Sequence, residues 1–380
     1  MATERSVERV SRFSSRAPVC GLIAVCITIG TATAHSQAAI RVGDDVNIRF
    51  GTLLQAWGDW AQDPVTDSYA QNVFLRRVRL LVGGQVARNI TFFIETDNPN
   101  FGKAPKNLAG GFLIQDALAE VKFSDPLTIS AGLMFVPFCR NCIQSAATLL
   151  SLDYSTFSFL ATPATQSSVG RDIGFQAKGY FSGNRIEYRV GAFQGSRAAG
   201  PPPVGAAPGR NPLRAVGRLQ INLLDAETPG IFYTGTYLGT RRVFAIGGGV
   251  DTQGGPGDNY QAWTVDAFLD YPLTDSVSVT AQVDYFDFDG GQTLPTLAKQ
   301  TAIFAEAGLY IKPMRLMPFA KYETRDFDAA ATPDEVRYQV GLTYYRFGHN
   351  ANLKLAYSRL DPDVGNASNQ FTTQLQVFYY

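Results

Sequence analysis

Phe74-Leu75-Arg76-Arg77-Val78-Arg79-Leu80 is the densest basic segment of the chain. On an alternating strand Arg77 and Arg79 share one face. A strip of guanidiniums on a wetted face attracts anions. Carboxylates follow on later strands, each pair on one face of its strand: Glu95 and Asp97, then Asp116 and Glu120, with Lys122 beside them. These offer the arginines partners on neighbouring strands. Opposed strips of charge would also set a transverse field, so both readings stand. Arg49 joins the same set two residues after Asn47, and alternation places Arg76 with Phe74, Val78 and Leu80 on the apolar face. There an arginine near a rim would reach out to headgroups.

Cys139 and Cys142 are the other reactive pair. Cys-x-x-Cys in an exported chain is read as a local disulfide. Free thiols, a metal site or a redox motif are the alternatives. A zinc site would want two more ligands nearby, and a redox motif a thioredoxin-like βαβ context; both are absent. No cofactor is called for. Serine hydrolysis usually needs a His base, and the chain has two His, His35 and His349. His35 lies near the start of the exported part and His349 in a tight turn, neither beside a candidate Ser. Gly247-Gly248-Gly249 sits inside a strand, where it permits curvature or close packing rather than holding phosphate. Asp287 and Asp289 fall at a strand end and fit a weak cation site or simple solvation. The chain is therefore expected not to be an enzyme.

These residues need elements to hold them, and the first element is a leader. Arg5, Arg9, Arg12 and Arg16 precede an apolar run from Ala17 to Gly30, too short to span a membrane. Ala32-Thr33-Ala34 fits a cleavage site, so residues 1–34 are expected to be a signal peptide and 35–380 the exported protein, beginning near His35. Gln37-Ala38-Ala39 offers a later cut. A lipoprotein signal at Cys26 competes, although Val25 is large where such signals want Gly or Ala. Cys20 and Cys26 leave with the leader. Removing it takes four Arg and two Glu and leaves 29 basic against 31 acidic residues. That balance predicts no nucleic-acid partner.

No later stretch approaches a transmembrane helix. Instead, segments of about ten alternating residues recur, as membrane-spanning strands require. Candidates are 46–57, 73–86, 90–97, 116–123, 127–136, 171–182, 185–194, 213–223, 242–251, 259–271, 276–288, 300–312, 315–325, 335–347, 350–360 and 370–380. Tight-turn connections such as Ala87-Arg88-Asn89 and Ser124-Asp125-Pro126 alternate with long ones such as 98–111 and 137–169. That rhythm predicts an all-β, transmembrane antiparallel barrel of about 16 strands, with both termini on the periplasmic side. In the segment 370–380, Phe371, Leu375, Val377 and Tyr379 face lipid, and Thr372, Gln374 and Gln376 face the lumen. Gly230 to Thr240 also looks like a strand, but counting it gives the wrong parity. We read 224–241 as an unusually long periplasmic connection. The segment 198–209, rich in Pro, Gly and Ala, reads as a mobile extracellular loop. A soluble β-sandwich is the competing architecture.

Phe74 to Gly84, followed by Phe92-Phe93-Ile94-Glu95-Thr96-Asp97, resembles the second and third strands of the phosphate-selective porin O/P family. Gly132 to Phe138 resembles that family's strand entering its large loop, and Gly170-Arg171-Asp172-Ile173-Gly174-Phe175-Gln176 the strand leaving it. The resemblance implies a 16-stranded outer-membrane barrel of a Gram-negative bacterium. It further implies a homotrimer with the large loop folded inward, here 137–169, to narrow the lumen. Asp153, Tyr154, Phe157 and Phe159 are expected to anchor that loop. The family's phosphate preference rests on dense lumenal Arg and Lys. Here the 137–169 loop has one basic residue, Arg140. The expectation is a porin for passive diffusion of small hydrophilic solutes and ions, with outer-membrane lipid and lipopolysaccharide as its surroundings. The expected pore lining is Arg49, Arg77, Arg79, Glu95, Asp97, Asp116, Glu120, Lys122 and Arg140. An anion-selective channel and a non-conducting structural or adhesion barrel are the alternatives.

Overall fold

The computed structural model describes residues 39–42, 45–106, 108–197, 212–255, 257–329 and 332–380. The expected leader and the 198–209 segment lie outside the described residues.

Strand β1 (Ala39–Arg41) precedes sixteen longer ones. They are β2 (Asn47–Gln62), β3 (Tyr69–Ala87), β4 (Ile90–Asp97), β5 (Leu113–Ser124), β6 (Leu127–Phe135), β7 (Arg171–Phe181), β8 (Ile186–Phe193) and β9 (Arg214–Asn222). Then come β10 (Val243–Gln253), β11 (Tyr260–Pro272), β12 (Val277–Asp289), β13 (Gln300–Ile311), β14 (Leu316–Phe327), β15 (Glu335–His349), β16 (Ala351–Pro362) and β17 (Ser368–Tyr379). From β2 onward each pairs antiparallel with the next. β17 closes on β2, from Tyr379↔Thr52 to Gln370↔Ala61. The result is a closed antiparallel barrel of 16 strands, in which every strand has two neighbours and none presents a long unpaired edge to lipid. β17 ends opposite Thr52, and β1 folds back along β2 below that point, with Ala39↔Arg49 and Arg41↔Asn47.

Alternation sorts the two faces. Phe371, Leu375 and Val377 are 43–47 % exposed, whereas Thr372, Gln374 and Gln376 are at most 1 % exposed. The lumenal side chains are therefore not bathed in a wide aqueous channel; something packs against them.

Four strand pairs shift register, β2–β3, β3–β4, β4–β5 and β5–β6, and the first of these re-aims a candidate residue. β2 and β3 shift at Gln55/Ala56, so Gln55 opposes Arg77 while Ala56 opposes Leu75. Arg76 is the extra residue of a β-bulge, which re-aims side chains. The expectation that Arg76 faces lipid with Phe74 is thereby corrected. Phe74 is 3 % exposed and stacks toward Trp57, and Arg76 bonds Asp153 of the inward loop.

The connection between β9 and β10 contains no strand. Its single ladder contact is an isolated parallel bridge from Tyr233 to Gln144. The 224–241 region is thus a connection, as the parity argument requires, and it turns into the barrel.

Candidate functional site

Two segments enter the lumen from opposite ends. The larger is the 137–169 loop, which leaves β6 at Phe135 and rejoins the wall at Arg171 of β7. Phe138 crosses the inner face of β10, where a Cβ at Gly249 would collide with the Phe138 carbonyl oxygen. A Cβ at Gly247 would strike the guanidinium of Arg218, which pairs with Asp266. The glycine run is there for close packing. Cys139 and Cys142 form a disulfide that is almost wholly buried at the loop's first turn, beside the 3₁₀ turn Asn141–Ile143.

From Ala146 to Thr156 the loop runs along the inner wall, and its peptide groups are bonded by one strand after another. Gln55 of β2 donates to the Ala146 carbonyl at 3.2 Å, and Gln376 of β17 to that of Ala147 at 2.9 Å. Lys354 of β16 donates to the carbonyls of Leu149, Leu150 and Ser151 at 2.6, 3.3 and 2.5 Å. Gln339 of β15 accepts from Leu152 N–H at 3.4 Å. Lys321 of β14 donates to the Tyr154 carbonyl at 3.2 Å, and Glu323 accepts from Thr156 N–H at 2.8 Å. A loop buried without such partners would leave peptide groups unsatisfied at a cost of about 1–3 kcal/mol each. Sequence reasoning missed these six wall residues. Strand alternation alone does not single them out from the other lumenal polar side chains.

Asp153 fixes the loop to β3. It accepts from Arg77 at 2.5 Å and from Arg76 at 2.7 Å. Burial would raise its carboxyl, but Arg76 and Arg77 outweigh that and hold it well below the usual carboxylate range. Tyr154 lies under the Arg77 guanidinium, Phe159 stacks on Phe135, and the Phe157 ring lies 5.5 Å from Arg325 and 5.9 Å from Arg337.

The remaining charged residues are mostly paired. Arg79 meets Glu95 at 2.7 Å and Asp97 at 2.9 Å, all at most 5 % exposed. Asp116 pairs with Arg171 at 3.2 Å, and Glu120 with Lys178 at 2.6 Å. Lys122 pairs with Asp125 at the periplasmic turn, more than half exposed. Arg49 lies over the Tyr380 ring at 5.3 Å, in space left by Gly51 and Gly83. Arg140 departs from the expected pore lining. It is fully buried and makes a bidentate pair with Glu227, at 2.6 and 2.8 Å.

Glu227 belongs to the second insert, the 223–242 connection. Tyr233 N–H donates to the Ile143 carbonyl and Ser145 N–H to the Tyr233 carbonyl, both at 2.9 Å. Lys178 and Arg189 donate to the Gly230 carbonyl. Asp270 accepts from the backbone of Tyr237 and Gly239. The half-buried His349 places Nε2 2.9 Å from the Thr236 carbonyl. Phe232 then completes an aromatic layer, edge-on to Phe93 at 5.5 Å and to Phe135 at 5.7 Å, with Tyr380 on the far side of Phe93. Below that layer lies a periplasmic cavity of about 380 Å³.

A barrel whose lumen holds an inward loop and paired charges is the architecture of a channel with a built constriction. Comparison with known proteins agrees. Residues 47–220 match the family model for phosphate-selective porin O and P. Among curated proteins none matches the chain in sequence. The fold is similar to the anion-selective porin of Comamonas acidovorans (TM-score 0.59, 10 % identity, 88 % of this chain and 100 % of that one). It is also similar to the outer-membrane channel DcaP of Acinetobacter baumannii (TM-score 0.58, 12 % identity, 88 % and 98 %). A third likeness is to OmpT, an outer-membrane protein of Vibrio cholerae, in its trimer form (TM-score 0.54, 13 % identity, 88 % and 100 %). At such identities the likeness is one of fold. With the family match, it makes this chain an outer-membrane porin of a Gram-negative bacterium, similar over residues 47–220 to the phosphate-selective porin O and P family.

Proposed function

We propose that the chain is a narrow porin for passive diffusion of small hydrophilic solutes and ions, with weak charge preference. The observation that carries this reading is the pairing of lumenal charges. Arg77, Arg79, Arg171, Lys178, Arg189, Arg214, Arg218 and Lys321 each meet a carboxylate. Strong anion selectivity needs positive charge left over in the aperture. In this reading Arg77, Arg79, Glu95, Asp97 and Asp116 hold the constriction in shape, while Arg49, Glu120 and Lys122 border the periplasmic mouth. Residues 1–34 act as a cleaved signal peptide, and 35–380 form the barrel. The apolar outer face sits in lipid and lipopolysaccharide, and the barrel assembles as a homotrimer, as the in-vitro folded OmpT of Vibrio cholerae does in its trimer form. The chain is a channel and no catalyst: its His349 ring faces a carbonyl and not a nucleophile.

One observation favours a second reading, an anion-preferring entrance. Arg325 and Arg337 share a single carboxylate, Glu335, and each has a buried Nε without a partner among the described residues. Single-channel current of the refolded protein, with the reversal potential under a salt gradient, tests both. A potential near zero supports the charge-balanced porin. A potential approaching the Nernst value for the anion favours the second reading. Steps in multiples of three support the trimer, and no conductance at all would move the chain to a structural barrel.

A further inference from the structure

We propose that the 223–242 connection is a gate, working from the periplasmic side, with Phe232 as its closing side chain and the Arg140–Glu227 pair as its latch. This rests on the porin reading above. The other periplasmic turns hold a handful of residues, as at Asn350 between β15 and β16. A connection of this length is not needed to join two neighbouring strands. It makes no ladder with the wall, so it can leave the lumen without breaking any strand pairing of the barrel.

Its hold on the constriction loop combines the Arg140–Glu227 ion pair with hydrogen bonds from Tyr233 to Ile143 and Ser145 and from Gly235 to Thr148, and the ion pair is the one charged contact among them. Glu227 takes both terminal nitrogens of Arg140, and the guanidinium lies 3.7 Å from the Phe268 ring centre and 4.9 Å from that of Tyr233. Both side chains are at most 3 % exposed. A bidentate pair of this kind is strong while intact, and removing one partner leaves a buried charge unmatched.

What the latch holds shut is apolar. Phe232 fills the gap between Phe93 on the wall and Phe135 at the loop's root. On the periplasmic side of that contact lies the cavity bordered by Glu120, Lys122, Lys178 and Tyr180, and Pro229 and Gly230 of the connection complete its wall. The connection thus stands between a polar vestibule and a dry aromatic layer. Apolar constrictions close a pore by excluding water. Withdrawing Phe232 would join the vestibule to the space beside the loop.

The test is single-channel recording of full-length refolded protein as wild type, Glu227→Gln, Arg140→Gln and Phe232→Ala. Heat-dependent gel mobility shows that each barrel is folded, and Phe232→Leu replaces Phe232→Ala should the latter not fold. Glu227→Gln keeps the shape and removes the charge. It should raise open probability about tenfold. Arg140→Gln should do the same, with no further gain in the double variant. Phe232→Ala should raise the conductance of each opening. Folded variants that conduct like a conducting wild type would overturn the gate and leave the porin reading intact. Silence of all of them would overturn both.

Discussion

Arg77 on β3 and Asp153 on the inward loop meet at 2.5 Å, and the same arginine donates to Gln55 at 2.7 Å. The positive strip that looks built to draw anions is therefore spent on holding the constriction in place. Asp153 is the only acidic residue between Phe138 and Gly170, as Arg140 is the only basic one. Each is used to tie the loop down.

Asp153→Asn should expose that trade. Arg76 and Arg77 lose their carboxylate, and the loop loses about 2 kcal/mol of docking free energy. The reversal potential should move toward the anion and the current should become noisier. A potential identical to wild type would remove Arg76 and Arg77 from the conducting path.

Lys354→Met keeps the stem and deletes the donor. The carbonyls of Leu149, Leu150 and Ser151 lose their partner, at a cost of about 3 kcal/mol. Conductance should rise as the loop leaves the β16 wall. A smaller, steady conductance would contradict this.

Gly249→Ala tests the loop's other end. The new Cβ meets the Phe138 carbonyl, and overpacking of this kind costs about 1–3 kcal/mol. The temperature of the gel-mobility transition should fall, while Gly248→Ala, whose Cβ points to the outer side, should leave it nearly unchanged.

Acidification should do little over a wide range. Burial pushes the Asp153 and Glu227 carboxyls up, but Arg76 and Arg77 in one case and Arg140 in the other outweigh it and hold both below their ordinary values. A lowered folded-state pKa gives stability that is complete above the unfolded value and is lost only as pH falls through the folded one. Neither carboxylate should therefore titrate between about pH 8 and about pH 5, and Asp153→Asn and Glu227→Gln should leave the shape of the conductance–pH curve in that range unchanged. A wild-type transition near pH 6 that either substitution abolishes would contradict this.

The strand count, the lumen and lipid faces of β17 and the closed barrel were all legible, because period-2 patterning is local. The inward placement of Arg76 was not: it depends on a bulge in β3 set by its register with β2. Arg140 was read as pore lining because its partner, Glu227, is 87 residues away in a connection with no pattern of its own. The Gly247–Gly249 run could be read as close packing, but not what it packs against. The roles of Gln55, Lys321 and Lys354 were not legible, since nothing in a strand says that a loop backbone will lie across it.

The order in which the wall takes hold of the loop has a consequence for biogenesis. Gln55 of β2 and Gln376 of β17 bond each other at 2.8 Å across the junction where the barrel closes, and each also holds a loop carbonyl, Ala146 or Ala147. Until the first and last long strands meet, that pair of docking points does not exist. The stretch from Leu149 to Thr156 is held by β14, β15, β16 and β3 whether or not the seam is shut. The residues just before it, Ala146 and Ala147, are docked in full only once the cylinder closes, so the glutamine pair joins closure of the wall to the last step of seating the loop.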